Sequence, residues 1–254
     1  MTHWFFAPHP DDAVFSCGGQ IATLSRAGKR CVIVTVMAGD PPPEMRLTPF
    51  IEELWARWGL GDGARATAAR RQEDQEAAAA LGAAIVFLDF PDAVYRGFYP
   101  DAKAIFGEPA FPDMINVLAQ LNEAIGTGLG RTIRRTDMVH LPLGIGNHVD
   151  HLMVGAAAGA FQRKPAIVFY EDFPYSRERA LVDNTVATRK KSLRTEGAPE
   201  PIIHPLDDAA LGAKIAAMGC YRSQVSSFWP DPAAMADEMK RYTAQVGGER
   251  EWRF

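Results

Sequence analysis

No apolar run in this sequence approaches the roughly 18–20 residues that cross a bilayer, which excludes a membrane-spanning helix. The first residues, Met-Thr-His-Trp-Phe-Phe-Ala-Pro, have neither a basic region nor a long apolar stretch, and do not read as a secretory signal. Cysteine is scarce. Cys17, Cys31 and Cys220 are widely spaced, odd in number and form no CxxC pair. That argues against a disulfide framework, and a reduced, cytoplasmic protein is the expectation. Positive charge is not in excess either: the net charge is −4. A nucleic-acid partner is therefore not expected. A dinucleotide loop is missing too, because Gly18-Gly19 lacks the G-x-G-x-x-G spacing. With no phosphate-cradling loop, a nucleotide-dependent transferase is disfavoured.

What is present suits one α/β domain over residues 1–254, with 47% hydrophobic and 23% charged residues. Apolar runs of strand length occur at Trp4–Ala7, Cys31–Met37, Ala84–Leu88, Met138–Leu141 and Ala166–Tyr170. The second is almost uninterrupted, as in a strand buried on both faces. Helical patterns lie between them. Val14, Cys17, Ile21 and Leu24 share one face, with Gly28 as a stop. Ala64–Leu81 is rich in strong helix formers, and Met114, Leu118, Leu121 and Ile125 form another stripe. Strands alternating with helices imply a mostly parallel sheet with helices on both faces. The C-terminal third is less regular, with an edge strand at Pro201–Pro205 and helices over Asp207–Cys220 and Asp231–Val246. Two loops, Asp40–Pro43 and Phe90–Gly107, should leave the carboxyl edge of the sheet, where α/β folds build their sites.

Chemistry concentrates in two short motifs. Ala7-Pro8-His9-Pro10-Asp11-Asp12 follows the first strand and opens the first helix. His9 and Asp12 are three residues apart, so a tight turn can aim both at one ion, with Asp11 directed at a water on that ion. The plainer alternative is that Asp11 or Asp12 caps the helix. The second motif, Gly144-Ile145-Gly146-Asn147-His148-Val149-Asp150-His151, follows the fourth strand. His148 and His151 share a helical face, and Asp150 between them can orient an imidazole. A lone histidine is more often structural. Two with an aspartate, after a Gly-rich turn at a strand end, point to a metal site, and together the motifs supply a His/Asp/His set.

These motifs resemble those of the PIG-L (LmbE-like) family of zinc N-deacetylases, whose markers are a strand-terminal H-P-D-D and a later H-x-D-H. Here they are His9-Pro10-Asp11-Asp12 and His148-Val149-Asp150-His151. Ser16-Cys17-Gly18-Gly19, Arg70-Arg71-Gln72-Glu73 and Phe90-Pro91-Asp92 agree with it, and the likeness covers residues 4–170 best. The resemblance implies a Rossmann-like fold and one Zn²⁺ per chain, held by His9, Asp12 and His151. It implies Asp11 as general base, His148 assisting the tetrahedral intermediate or leaving amine, and Asp150 behind His148. It also puts Arg70 and Asp92 at the hydroxyls of an amino-sugar substrate such as an N-acetylglucosamine derivative, with Arg71 competing for the role of Arg70. Two positions depart from the family. Ala13 stands where many members carry glutamate, and Gly146 where some carry a tyrosine, for which Tyr95 or Tyr170 could substitute.

The expected reaction is hydrolysis of an N-acyl, chiefly N-acetyl, amide on a small polar molecule. A phosphoesterase would want two metals and more bridging carboxylates. A metal- or sugar-binding module without catalysis would have no need of Asp11. Other residues read as structural: Cys17 as a packing group, Arg189, Lys190, Lys191 and Arg194 as a solvated face, and His3, His140 and His204 as lone histidines. Tyr221-Arg222-Ser223-Gln224 is assigned no chemistry. The aromatics Trp55, Trp58, Tyr95, Phe98 and Tyr99 suit either pocket walls or a homo-oligomer contact.

Overall fold

A computed structural model describes residues 1–129, 132–161 and 164–254. The five apolar runs become parallel strands: β1 (Thr2–Ala7), β2 (Arg30–Thr35), β3 (Ala84–Phe87), β4 (Met138–Pro142) and β5 (Ala166–Tyr170). Two further strands, β6 (Glu200–His204) and β7 (Glu249–Arg253), complete a seven-stranded sheet in the order β3-β2-β1-β4-β5-β7-β6. β7 runs antiparallel to both β5 and β6. The fold is thus the expected α/β, mostly parallel arrangement.

Alternation along each strand feeds two cores. Trp4, Phe6, Val32 and Val34 face one side, with α5 (Phe111–Glu123), α6 (Val149–Ala156) and α7 (Arg179–Leu193). Phe5, Ala7 and Ile33 face the other, with α1 (Asp12–Arg26), α3 (Gly63–Ala80), α8 (Asp208–Met218) and α10 (Pro232–Val246). The remaining helices are α2 (Pro49–Trp58), α4 (Ala102–Ile105) and α9 (Arg222–Phe228). α2 forms because Thr48 caps its N-terminus through the Ile51 N–H, Pro49 sits in its first turn and Gly59 ends it in the left-handed region.

β1 pairs with β2 on one side and β4 on the other, and the chain reverses its direction of travel across the sheet between them. Open α/β sheets bind ligands at such switch points, beyond the carboxyl ends of the strands. Both motifs leave the sheet there, one from β1 and the other from β4.

Among the described residues, no helix is long and apolar enough to cross a membrane. All three cysteines are unpaired, and Cys17 and Cys31 are buried. Arg189 departs from expectation. It is buried rather than solvated, donates to the Leu143 carbonyl at 2.9 Å and stacks on Phe169. It holds the loop that begins the second motif.

Candidate active site

The turn after β1 is strained in a way that separates its two aspartates. Asp11 has φ 113°, a region costly for a non-glycine residue, and makes no side-chain cap bond despite standing at the N-cap of α1. Helix capping therefore does not explain it. Asp12 Oδ2 folds back to accept from the His9 N–H at 2.8 Å. The second motif turns through Gly144 (φ 91°), Gly146 (φ 84°) and Asn147 (φ 60°), then enters α6 with His148 as N-cap and His151 in the first turn.

The two motifs converge. Asp12 Oδ2 lies 3.2 Å from His9 Nδ1 and 3.3 Å from His151 Nε2. Ligand atoms on a tetrahedral cation with bonds of ~2.0–2.1 Å stand about 3.3 Å apart. His9, His148 and His151 each present a ring nitrogen within 4.8 Å of the others. The outer nitrogens are held by carboxylates: His9 Nε2 lies 3.0 Å from Asp150 Oδ2, and His151 Nδ1 lies 2.7 Å from Asp172 Oδ1. A neutral imidazole has only one N–H. With each N–H directed outward, the inner nitrogens turn lone pairs toward the lone pairs of Asp12, and that arrangement is stable only with a proton or a cation between them. The donor set therefore fits a bound metal, and the outer carboxylates are the orienting partners that metal-bound histidines require.

Electrostatics support this. Burial alone would lower the pKa values of His9 and His151. The surrounding aspartates overcome it, raising His9 well above its ordinary value and His151 to about 10. Five buried carboxylates, Asp11, Asp12, Asp92, Asp150 and Asp172, gather here; Arg70 pairs with Asp11 and Asp92, and Arg96 with Asp150. Burial, then the neighbouring Asp12, pushes the Asp11 carboxyl well up. Asp12 goes the other way: burial would raise it, but His151 and His9 hold it well below the usual carboxylate range. Burial, reinforced by His9, pushes His148 well down. His148 is then neutral, and its Nδ1 accepts from the Asp150 N–H at 3.2 Å, which leaves Nε2 as the protonated donor.

Arg70 rather than Arg71 reaches the site. Its guanidinium lies 3.7 Å from Asp11 and 3.6 Å from Asp92 and stacks over Trp58, and among the described residues its buried Nε has no partner. Arg71 turns away to the Ala38 carbonyl and Asp40.

Two expectations are corrected. The Asp150 carboxylate stands behind His9, not His148. Its Oδ1 is drawn 2.7 Å from Arg96, and its Oδ2 accepts from the Ala93 N–H. Of the polar groups in the Phe90–Gly107 loop, Asp92 and Asp101 line the cavity, whereas Tyr95, Arg96 and Tyr99 turn to Trp55 and Asp113. Neither suggested tyrosine is available. Tyr95 is engaged by Trp55, and the fully buried Tyr170 donates to the Phe6 carbonyl.

Asp172 was not anticipated. It orients His151 and, through its other oxygen, accepts from the N–H groups of Gly144 and Ile145 at 2.8 and 2.9 Å. Gln224, assigned no chemistry above, also lines the cavity. That cavity has a volume of about 480 Å³ and opens over the histidines between apolar walls, including Phe50, Leu54, Ile105 and Phe106.

This fold and this cluster define a hydrolase of the de-N-acetylase class. Residues 4–161 match the model of PIG-L, GlcNAc-PI de-N-acetylase, and the chain belongs to that family. It is 31% identical to the 2'-N-acetylparomamine deacetylase of Streptomyces fradiae, over 97% of this chain and 79% of that one. Among solved structures it is similar to the A40926 pseudoaglycone deacetylase, with 26% identity, a TM-score of 0.72 and coverage of 99% and 95% of the two chains. The zinc-inhibited form of teicoplanin deacetylase shares the fold, with a TM-score of 0.76, 20% identity and coverage of 99% and 97%.

Proposed function

We propose that the chain hydrolyses the N-acetyl amide of an amino sugar or related small polar molecule, using one zinc ion held by His9, Asp12 and His151, and releases a free amine and acetate. The observation that carries this reading is the Asp12 oxygen between two imidazole nitrogens whose outer sides are fixed by carboxylates, with Asp11 beside it. Mixed nitrogen and oxygen ligands suit zinc. When bound, the ion would polarise the amide carbonyl and acidify a water.

The protein's own groups do the rest. Asp11, with its carboxyl shifted upward, takes the proton of the attacking water and returns it to the amine nitrogen as the C–N bond breaks. His148 donates from Nε2 to the carbonyl oxygen as that oxygen gains charge. Asp150 and Asp172 fix the ring orientations of His9 and His151. Arg70 tethers Asp11 and, with Asp92, faces the cavity where sugar hydroxyls would lie. The relatives named for acetylated paromamine and the A40926 pseudoaglycone support an amino-sugar substrate. The three unpaired cysteines support a cytoplasmic setting.

The test is amine release from a panel of N-acetyl sugars, including acetylated aminoglycoside fragments, with zinc content measured on the same protein. Release from at least one member is expected. Stoichiometric zinc with no release across the panel would favour a binding module.

A further inference from the structure

One wall of the cavity is built by a residue to which the mechanism above gives no work. Tyr175 follows β5 and opens a short 3-10 turn, Tyr175–Arg177. Its ring lies against Gly146: a Cβ at that glycine would stand 2.9 Å from both Cγ and Cδ1 of the tyrosine. Only glycine at 146 leaves room for the ring, so the sequence at the second motif and the placement of Tyr175 are coupled. The ring stands edge-on to His151, with centroids 6.0 Å apart, and is braced by Phe106, which is itself edge-on to His148. Tyr175 thus lines the same cavity as Asp11, Asp12, His148 and His151.

Its hydroxyl is the exception among the tyrosines. Tyr95 pairs with Trp55, Tyr99 with Asp113, Tyr170 with the Phe6 carbonyl, Tyr221 with Asp74 and Tyr242 with Ser176. Among the described residues, Tyr175 alone has no hydrogen-bond partner for its hydroxyl. Tyr175 is half-buried at the cavity wall, so its hydroxyl is left for a group that enters the cavity. A phenol is protonated at neutral pH. Burial, followed by the charges of Asp12, Asp11, Asp172 and Asp92, holds this one further in its neutral, donating form.

We propose that Tyr175 is a catalytic contact whose hydroxyl donates a hydrogen bond to the oxygen of the scissile acetyl carbonyl, on the His151 side of the cavity and alongside the donor from His148. The proposal rests on the deacetylase reading. The bond strengthens as the oxygen gains charge, so its effect falls on the chemical step rather than on binding.

Tyr175→Phe removes one oxygen and keeps the ring packed on Gly146. It should lower kcat by about 10²-fold, as loss of one oxyanion donor does, with KM changed by less than about threefold and with zinc content and melting temperature unchanged. Replacing Tyr175 with fluorotyrosines of increasing acidity separates donation from packing. A donor to a developing oxyanion gives a kcat that rises with phenol acidity, whereas a packing residue gives no trend. Wild-type kcat in Tyr175→Phe, or a flat fluorotyrosine series, overturns the proposal. Absence of amine release by the wild-type protein on every substrate is a different result, which refutes the deacetylase reading and this proposal with it.

Discussion

Asp11 and Asp12 are neighbours in the chain whose environments push them in opposite directions. Asp12 is held ionised by two histidines, and Asp11 is pushed toward protonation by burial and by Asp12 itself. One carboxylate suits a ligand and the other a proton carrier. Asp11→Asn should keep zinc and lose roughly two or more orders of magnitude in rate, as removal of a general base does. Full activity in that variant excludes the assignment. His151→Ala should lose the metal at zinc concentrations that saturate the unaltered protein, so that it loads only at higher zinc, and zinc retained at one per chain at the lower concentration would count against it. Asp172→Ala leaves the proposed ligands His9, Asp12 and His151 in place but frees the His151 ring and the Gly144–Ile145 turn. It should weaken zinc affinity by roughly 10–100-fold, in line with other orienting partners, as read by competition with a chelator. Unchanged affinity would show that the turn needs no anchor.

At the level of elements, legibility follows the type of burial. β1, β2, β4 and β5 are buried parallel strands and announce themselves as apolar runs. β7, Glu-Arg-Glu-Trp-Arg, carries no apolar run, because two of its three buried positions are acidic. Glu249 meets Lys214 at 2.7 Å and the N–H groups of Gly19 and Gln20, while Glu251 meets His140 and His204. Arg189 is buried for a reason its own segment does not carry: its partners, a carbonyl and a ring, are distant in sequence. Both motifs are legible because each packs its histidines and aspartates into a few residues. Asp172, 21 residues beyond His151, carries no such pattern. Gly146→Ala tests how tightly the second motif turns. A side chain at φ 84° against the Tyr175 ring should cost at least the roughly 1–2 kcal/mol of the left-handed conformation, seen as a lower midpoint in urea. An unchanged midpoint would mean that the ring moves aside freely.

For the molecule as a whole, the sheet brings two distant turns to one switch point, and the C-terminal strands lock that sheet from behind. Burial would raise the Glu251 carboxyl, but His140 and His204 hold it well below its ordinary value, and Glu251 in turn raises His204. A carboxylate depressed in the folded state contributes stability above its unfolded pKa, and loses it as pH falls below about 4.3. A histidine raised in the folded state contributes below about 6.5, and loses that contribution as pH rises. Stability should therefore be greatest between these values. Glu251→Gln should cost about 3–5 kcal/mol, as removal of one partner of a buried pair does, and should flatten the acid limb of the unfolding profile. An unaltered acid limb would assign that limb to other carboxylates.

The most direct examination of the account is X-ray absorption at the zinc edge of the zinc-loaded protein. The expected spectrum has two imidazole nitrogens and at least one oxygen at ~2.0–2.2 Å, with one imidazole lost in His9→Ala and in His151→Ala. A sulfur ligand, or a coordination shell untouched by either substitution, would contradict convergence of the two motifs on one cation.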